Sequence, residues 1–235
     1  MLLVNGCSYT YGDELDSPET ERWSTHLAKL RSTEVVNIAK PGSSNSKIFR
    51  DTVNYIRVHQ PRQVIIMWSA FERFEMYHMS KKDWLQVSPS RLKDGEKYIT
   101  DNRRSWEEFY ALLVNRETML LNTLNYMVTI ELICSEFGID LIQGWFHENC
   151  YREYESLVRN AKRKGHPVYK EIDSLFNSLP ITSKVGIIDT LSFNEFTSKN
   201  NFDRMPEGHP GAAAHEAYGH YINKICNERG YLKCI

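Results

Sequence analysis

Five short apolar runs, each followed by a stretch of helical periodicity, constrain this chain more than any other feature. They are Leu2-Leu3-Val4-Asn5, Glu34-Val35-Val36-Asn37-Ile38, Gln63-Val64-Ile65-Ile66-Met67-Trp68, Ile139-Asp140-Leu141-Ile142-Gln143 and the weaker Lys184-Val185-Gly186-Ile187-Ile188. Continuous runs of this length, rich in Val and Ile, suit strands covered on both faces, as in a parallel sheet. Between them, Trp23, Leu27 and Leu30 share one face of a helix from Glu21 to Arg31, and Ile48, Val53 and Ile56 share one from Ser46 to Val58. The spacing of Leu112, Leu113, Met119, Leu120, Leu124, Met127, Ile130 and Ile133 predicts one long amphipathic helix from about Ser105 to Phe137. A last helix is expected after His209, with Pro210 in its first turn and Ala214, Tyr218, Tyr221, Ile222, Ile225 and Cys226 on its apolar face. Strands alternating with helices predict an α/β fold, a three-layer α/β/α sandwich on a mostly parallel five-stranded sheet.

At 235 residues the chain has enough length for one full core, so a single domain over 1–235 is expected. The polar and aromatic stretch from about 73 to 104, with Pro89 and Gly95, fits neither pattern and reads as an insertion after the third strand. A net charge of −1 with 25% charged residues argues against a nucleic-acid partner, whose binding would rest on a basic surface. The longest apolar runs are too short to span a bilayer, so no membrane partner is expected. No basic leader precedes the first apolar residues, and a cytoplasmic location is expected. Five irregularly spaced cysteines (Cys7, Cys134, Cys150, Cys226, Cys234) then read as reduced thiols.

In open parallel sheets, ligands sit beyond the carboxyl ends of the strands. The first strand ends there in Asn5-Gly6-Cys7-Ser8, followed by Tyr9-Thr10-Tyr11-Gly12. A dinucleotide turn would need G-x-G-x-x-G and a phosphate loop would need a Gly-Lys-Ser/Thr; neither is present. A serine nucleophile at Ser8 remains, and it needs a base and oxyanion donors elsewhere. After the second strand, Gly42 in Ala39-Lys40-Pro41-Gly42-Ser43-Ser44-Asn45 permits close backbone approach, and Asn45 offers a side-chain amide. Near the other end, Pro206-Glu207-Gly208-His209-Pro210 supplies a histidine with two acids at hand, Glu207 and Asp203.

These blocks resemble the SGNH (GDSL-type) hydrolase superfamily, in particular its divergent bacteriophage members. The resemblance runs through the chain in block order, and implies a flavodoxin-like sandwich. It makes Ser8 of Gly6-Cys7-Ser8 the nucleophile, and Gly42 together with the Ser8 N–H oxyanion donors. His209 becomes the base, and Glu207 the carboxylate that orients it. Two departures stand out. The family's third block carries an asparagine, where this chain has Trp68-Ser69-Ala70-Phe71-Glu72-Arg73, so Ser69 is the substitute donor and Arg73 a residue that can enter the site. The last block normally carries an aspartate three residues before the histidine, where this chain has Pro206.

The implied activity is a serine esterase or acyl hydrolase, with deacetylation of a carbohydrate as the expected reaction and a small-molecule or glycan ester as substrate. Asn45, Trp68 and Arg73 are the expected substrate contacts. No metal and no organic cofactor is called for. The same site would serve an O-acyltransferase, and the missing asparagine also fits a catalytically weakened glycan- or protein-binding module. The aromatic cluster Trp68, Phe71, Phe74, Tyr77 and Trp84 can line an acyl or sugar pocket, or form the insertion's own core. Cys7 reads as a packed residue, and His147 with Cys150 lacks the second pair that a metal site would need.

Overall fold

The computed structural model describes residues 1–80, 82–89, 102–112, 114–163, 165, 167–186 and 190–230. Four strands form one parallel sheet: β1 (Leu2–Asn5), β2 (Val35–Asn37), β3 (Gln63–Trp68) and β6 (Asp140–Trp145), in the order β2-β1-β3-β6. Leu2 pairs with Val35 and with Gln63, and Gln63 with Asp140, so the strands start level and end at one edge. The chain turns outward to β2, then crosses back over β1 to β3. That reversal opens a crevice between the ends of β1 and β3, the position where open α/β sheets hold ligands.

The sheet is covered on both sides, as its uninterrupted apolar runs require. On one face Leu3, Val64, Ile66 and Trp68 meet Ile48 and Ile56 of α4 (Asn45–His59). Leu120, Leu124, Met127 and Ile130 of α6 (Arg116–Glu136) complete that layer. On the other face Leu2, Val4, Ile65 and Met67 meet Trp23 and Leu27 of α3 (Trp23–Leu30) and Ala214, Tyr218 and Ile222 of α10 (Ala212–Arg229). Each fully buried Leu, Ile or Val contributes about 1.5–3 kcal/mol relative to exposure, so the alternation along β1 and β3 fixes which residues face which layer.

Three expectations change. The fifth strand contracts, among the described residues, to one parallel bridge between Val185 and Gly144; 187–189 lie outside them. The long helix from Ser105 to Phe137 is two helices, α5 (Arg103–Leu112) and α6. Asn115 starts the second by accepting the N–H of Thr118 at 2.9 Å, and Leu112 is left 79% exposed rather than in the core. Pro210 is not in the first turn of the last helix. It pairs with Arg204 across a tight loop, and the helix begins after Gly211.

The insertion after β3 opens as an antiparallel hairpin, β4 (Phe74–His78) and β5 (Asp83–Val87), followed by α5. Leu85, Val87 and Trp106 form a small core of its own with Met76, Phe109 and Tyr110. Residues 90–101 lie outside the described residues. Arg50 of α4 clamps the hairpin to the sandwich, pairing with Glu75 at 2.6 Å and lying 4.2 Å over the Trp84 ring. Gln86 completes the clamp, donating to Glu75 at 2.9 Å and accepting the Ser44 N–H at 3.0 Å.

Candidate active site

Ser8 is the first residue of a one-turn helix, α1 (Ser8–Tyr11), that leaves β1 directly. A residue in this position has no carbonyl of its own helix to bond, so the Ser8 N–H is open to an acceptor. The sharp exit depends on Gly6, where a Cβ would come within 2.4 Å of Thr10 Oγ1 and 2.9 Å of the Met67 carbonyl. Asn5 fixes the bend by accepting the Gly6 N–H at 2.8 Å and donating to the Ile48 carbonyl and to Thr52. Cys7 is fully buried among core residues, and its thiol is free. Gly42 holds φ 74° after Pro41, in a turn closed by the Ser43 N–H on the Lys40 carbonyl. Glycine suits that place because a type II turn needs positive φ there.

His209 stands on the loop between Arg204 and Pro210. The Met205 N–H bonds its carbonyl at 2.8 Å, and Arg204 donates to the Gly208 carbonyl at 2.9 Å. Its ring lies beside Tyr9, the residue after Ser8, with centroids 5.2 Å apart. Tyr9 in turn lies against Phe146, the first residue past β6, at 4.8 Å. Tyr9 thus lies between the His209 ring and the residue that follows β6.

The carboxylate on that ring is Glu14. Its Oε2 is 2.7 Å from His209 Nδ1 and also accepts the His209 N–H at 3.2 Å, while Oε1 accepts the Glu207 N–H at 2.8 Å. Both side chains are about 15% exposed. Burial pushes the Glu14 carboxyl up, but the hydrogen bonds from the Glu207 N–H and from the ring and N–H of His209 outweigh it and hold it below the usual glutamate value. Glu14 also sits at φ 67°, a conformation that costs a non-glycine residue energy and recurs where a side chain must be aimed.

This corrects the expected orienting acid. Glu207 and Asp203 are both exposed, and Glu207 contributes its backbone N–H rather than its carboxylate. The physical reason is the turn at Gly208, which folds the loop so that the N–H groups of Glu207 and His209 meet Glu14 while its own acidic side chains stay exposed.

The other expected residues divide. Asn45 is buried with both ends of its amide engaged. Its oxygen accepts the Ser69 N–H at 2.7 Å, and its nitrogen donates to the Ser69 carbonyl and to Thr123, both at 3.0 Å. It therefore staples the loop after β3 to α4 and keeps no donor for a substrate. Ser69 has its N–H committed to this staple, while its Oγ is buried without a partner. Trp68 is fully buried and donates to Gln143 at 2.9 Å, so it is a core residue rather than a substrate contact. Arg73 lies past β3, with its guanidinium carbon 6.0 Å from the Phe146 ring centroid.

A cavity of about 300 Å³ adjoins this group, walled by Asn45, Phe71, Arg73, Trp84, Asn122 and Tyr126. The aromatic cluster is thereby split: Trp68 and Phe71 belong to the main core, Phe74 and Trp84 face the cavity, and Tyr77 packs on Trp84. Among the described residues no group of acids, histidines and cysteines is arranged to hold a metal ion, and the side chain of Cys150 is outside them. No helix among them is long and apolar enough to cross a membrane.

With this sheet order and helices on both of its faces, the chain has the fold of the G-D-S-L lipolytic proteins. A G-D-S-L family protein from Desulfitobacterium hafniense DCB-2 matches with a TM-score of 0.52 and 13% identity, over 95% of this chain and 98% of that one. TesA matches with a TM-score of 0.53 and 13% identity, over 97% and 98%. No protein-family model and no curated protein matches the sequence.

Proposed function

We propose that this chain is a serine hydrolase of carboxylic esters, acting through Ser8, His209 and Glu14. The observation that carries the reading is Glu14 accepting three N–H groups at the His209 loop, the ring Nδ1–H among them. A carboxylate on Nδ1 fixes the tautomer with the proton on Nδ1, so Nε2 is the basic nitrogen. Ser8 Oγ attacks the ester carbonyl and gives its proton to His209 Nε2. The ring then returns that proton to the leaving alcohol; a water next gives a proton to His209 Nε2 and attacks the acyl carbon, the bond to Ser8 Oγ breaks, and the ring protonates Oγ as the acid leaves. The N–H groups of Ser8 and Gly42 receive the oxyanion, and the Ser69 hydroxyl is the third donor in the place of the family's asparagine. An acetylated carbohydrate is the substrate class we favour, since an open edge with aromatic walls accepts a sugar ring.

Incubation with a fluorophosphonate, followed by peptide mass mapping, is expected to place the adduct on Ser8 and to abolish hydrolysis of 4-nitrophenyl acetate. A folded protein that neither labels nor turns over short esters would overturn the reading.

A further inference from the structure

We infer that the cavity beside the site recognises a carboxylate, held by Arg73, so that the preferred ester carries an acid group of its own. This rests on the proposed ester chemistry only for the word ester; the carboxylate site stands on separate observations.

Arg73 Nη1 is buried and has no hydrogen-bond partner, and among the described residues no carboxylate lies within ion-pair distance of this guanidinium. The contrast with its neighbours is informative. Arg50, on the same side of the molecule, is matched by Glu75 and stacked on Trp84. Glu75, the acid on the cavity wall, is fully engaged by Arg50 and Gln86. Glu72 accepts the Tyr110 hydroxyl on its backbone carbonyl at 3.2 Å, and its charge adds to burial in pushing that phenol up. The fold thus leaves two nearby charged side chains with an unpaired buried atom, Glu72 at Oε2 and Arg73 at Nη1, and of these two only Arg73 lines the cavity.

A buried guanidinium N–H left unpaired is costly, and a ligand acceptor removes that cost. The planar fork matches a carboxylate through two parallel hydrogen bonds. Position supports the assignment: Arg73 contacts Phe146, Phe146 contacts Tyr9, and Tyr9 contacts the His209 ring. Two aromatic side chains, Phe146 and Tyr9, thus link the Arg73 guanidinium to the His209 ring. The cavity volume is at the lower end for ligand sites, enough for a short acyl chain or one sugar ring.

The acid group can belong to the acyl part, as in a half-ester of a dicarboxylic acid, or to the alcohol part, as in an esterified sugar acid. Calorimetric titration of the Ser8→Ala protein with glutarate and with glucuronate separates these sources, and butyramide and glucose serve as neutral controls. We expect one of the two anions to bind measurably more tightly than its control. Affinity should fall about 10- to 100-fold in Ser8→Ala/Arg73→Gln, with partial recovery in Ser8→Ala/Arg73→Lys. Far-UV circular dichroism and melting confirm that each variant is folded. Equal binding of anion and control, or anion binding indifferent to Arg73, would overturn the inference. Neither readout depends on turnover, so a chain that binds the anion but cleaves no ester would sink the hydrolase reading and leave this one standing.

Discussion

At the scale of single residues, the position on which the proposed chemistry turns is Glu14. Glu14→Gln preserves its shape and one acceptor but removes the charge and the preference for the Nδ1–H tautomer. Loss of a triad carboxylate elsewhere costs about 10⁴ in kcat, and a fall of that order is expected here in steady-state ester hydrolysis. Glu207→Gln and Asp203→Asn, on exposed side chains, should change the rate by less than about threefold, in line with surface substitutions generally. The reverse ranking would return the orienting role to the histidine's own loop. Ser8, Gly42 and His209 could be picked out from local signals: a glycine beside a hydroxyl at a strand end, a Pro-Gly turn, a histidine flanked by Gly and Pro. Glu14 could not be. Its partner is 195 positions away, and its only local mark was an acid after Gly12 in a stretch already crowded with polar residues. Asn45 misled for a related reason. An amide in a loop looks available until the fold supplies Ser69 and Thr123 to both of its ends.

At the scale of elements, the hairpin after β3 is the part most open to experiment. Glu75 ties it to α4 through Arg50 and to the loop after β2 through Gln86 and Ser44. Glu75→Ala leaves a partly buried guanidinium without its acid and should cost about 1–3 kcal/mol. Hydrogen exchange should quicken in 74–78 and 83–87 first, with the β1–β3 ladder unaffected at early times. Uniform acceleration across the whole sheet would contradict an independent clamp. The four sheet strands were legible because a strand buried on both faces writes itself as a continuous apolar run. The hairpin was not, since its strands mix buried Glu75 and Leu85 with exposed Tyr77 and Trp84, and polar cross-strand pairing has no such signature. The two helices read as one for a similar reason: periodicity continues through 112–116, and only the Asn115 cap separates them.

At the scale of the whole molecule, the first and last helices of one sheet face, α3 and α10, are joined through His215. Its Nδ1 accepts the Trp23 N–H at 3.1 Å, linking α10 to the start of α3, and the residue is fully buried. Burial first, with His26 and His209 adding to it, pushes this imidazole down from 6.5 to about 3. Because the folded state holds this group neutral while the unfolded chain protonates it, its contribution is whole above pH 6.5. It is lost as pH falls from there toward 3. The slope is at most about 1.4 kcal/mol per pH unit from this one group. Glu14, held below 4.5, adds a second loss only at the acid end of that window. Urea unfolding between pH 7 and pH 5 should therefore show declining stability in the wild type. The decline should flatten in His215→Asn, which keeps an acceptor for the Trp23 N–H; an equal slope in both proteins would place the titrating group elsewhere.

The Glu14–His209 bond also bears on when the protein can work, not only how. Its two partners lie 195 positions apart. The loop that carries His209 leads into α10, which packs on α3, so a chain with a finished sheet but an undocked α10 lacks the pair on which the proposed function depends. Under the proposed function, activity becomes a reporter of completed folding: in a refolding time course it should return with the slowest phase, after the circular dichroism of the sheet and helices has already recovered.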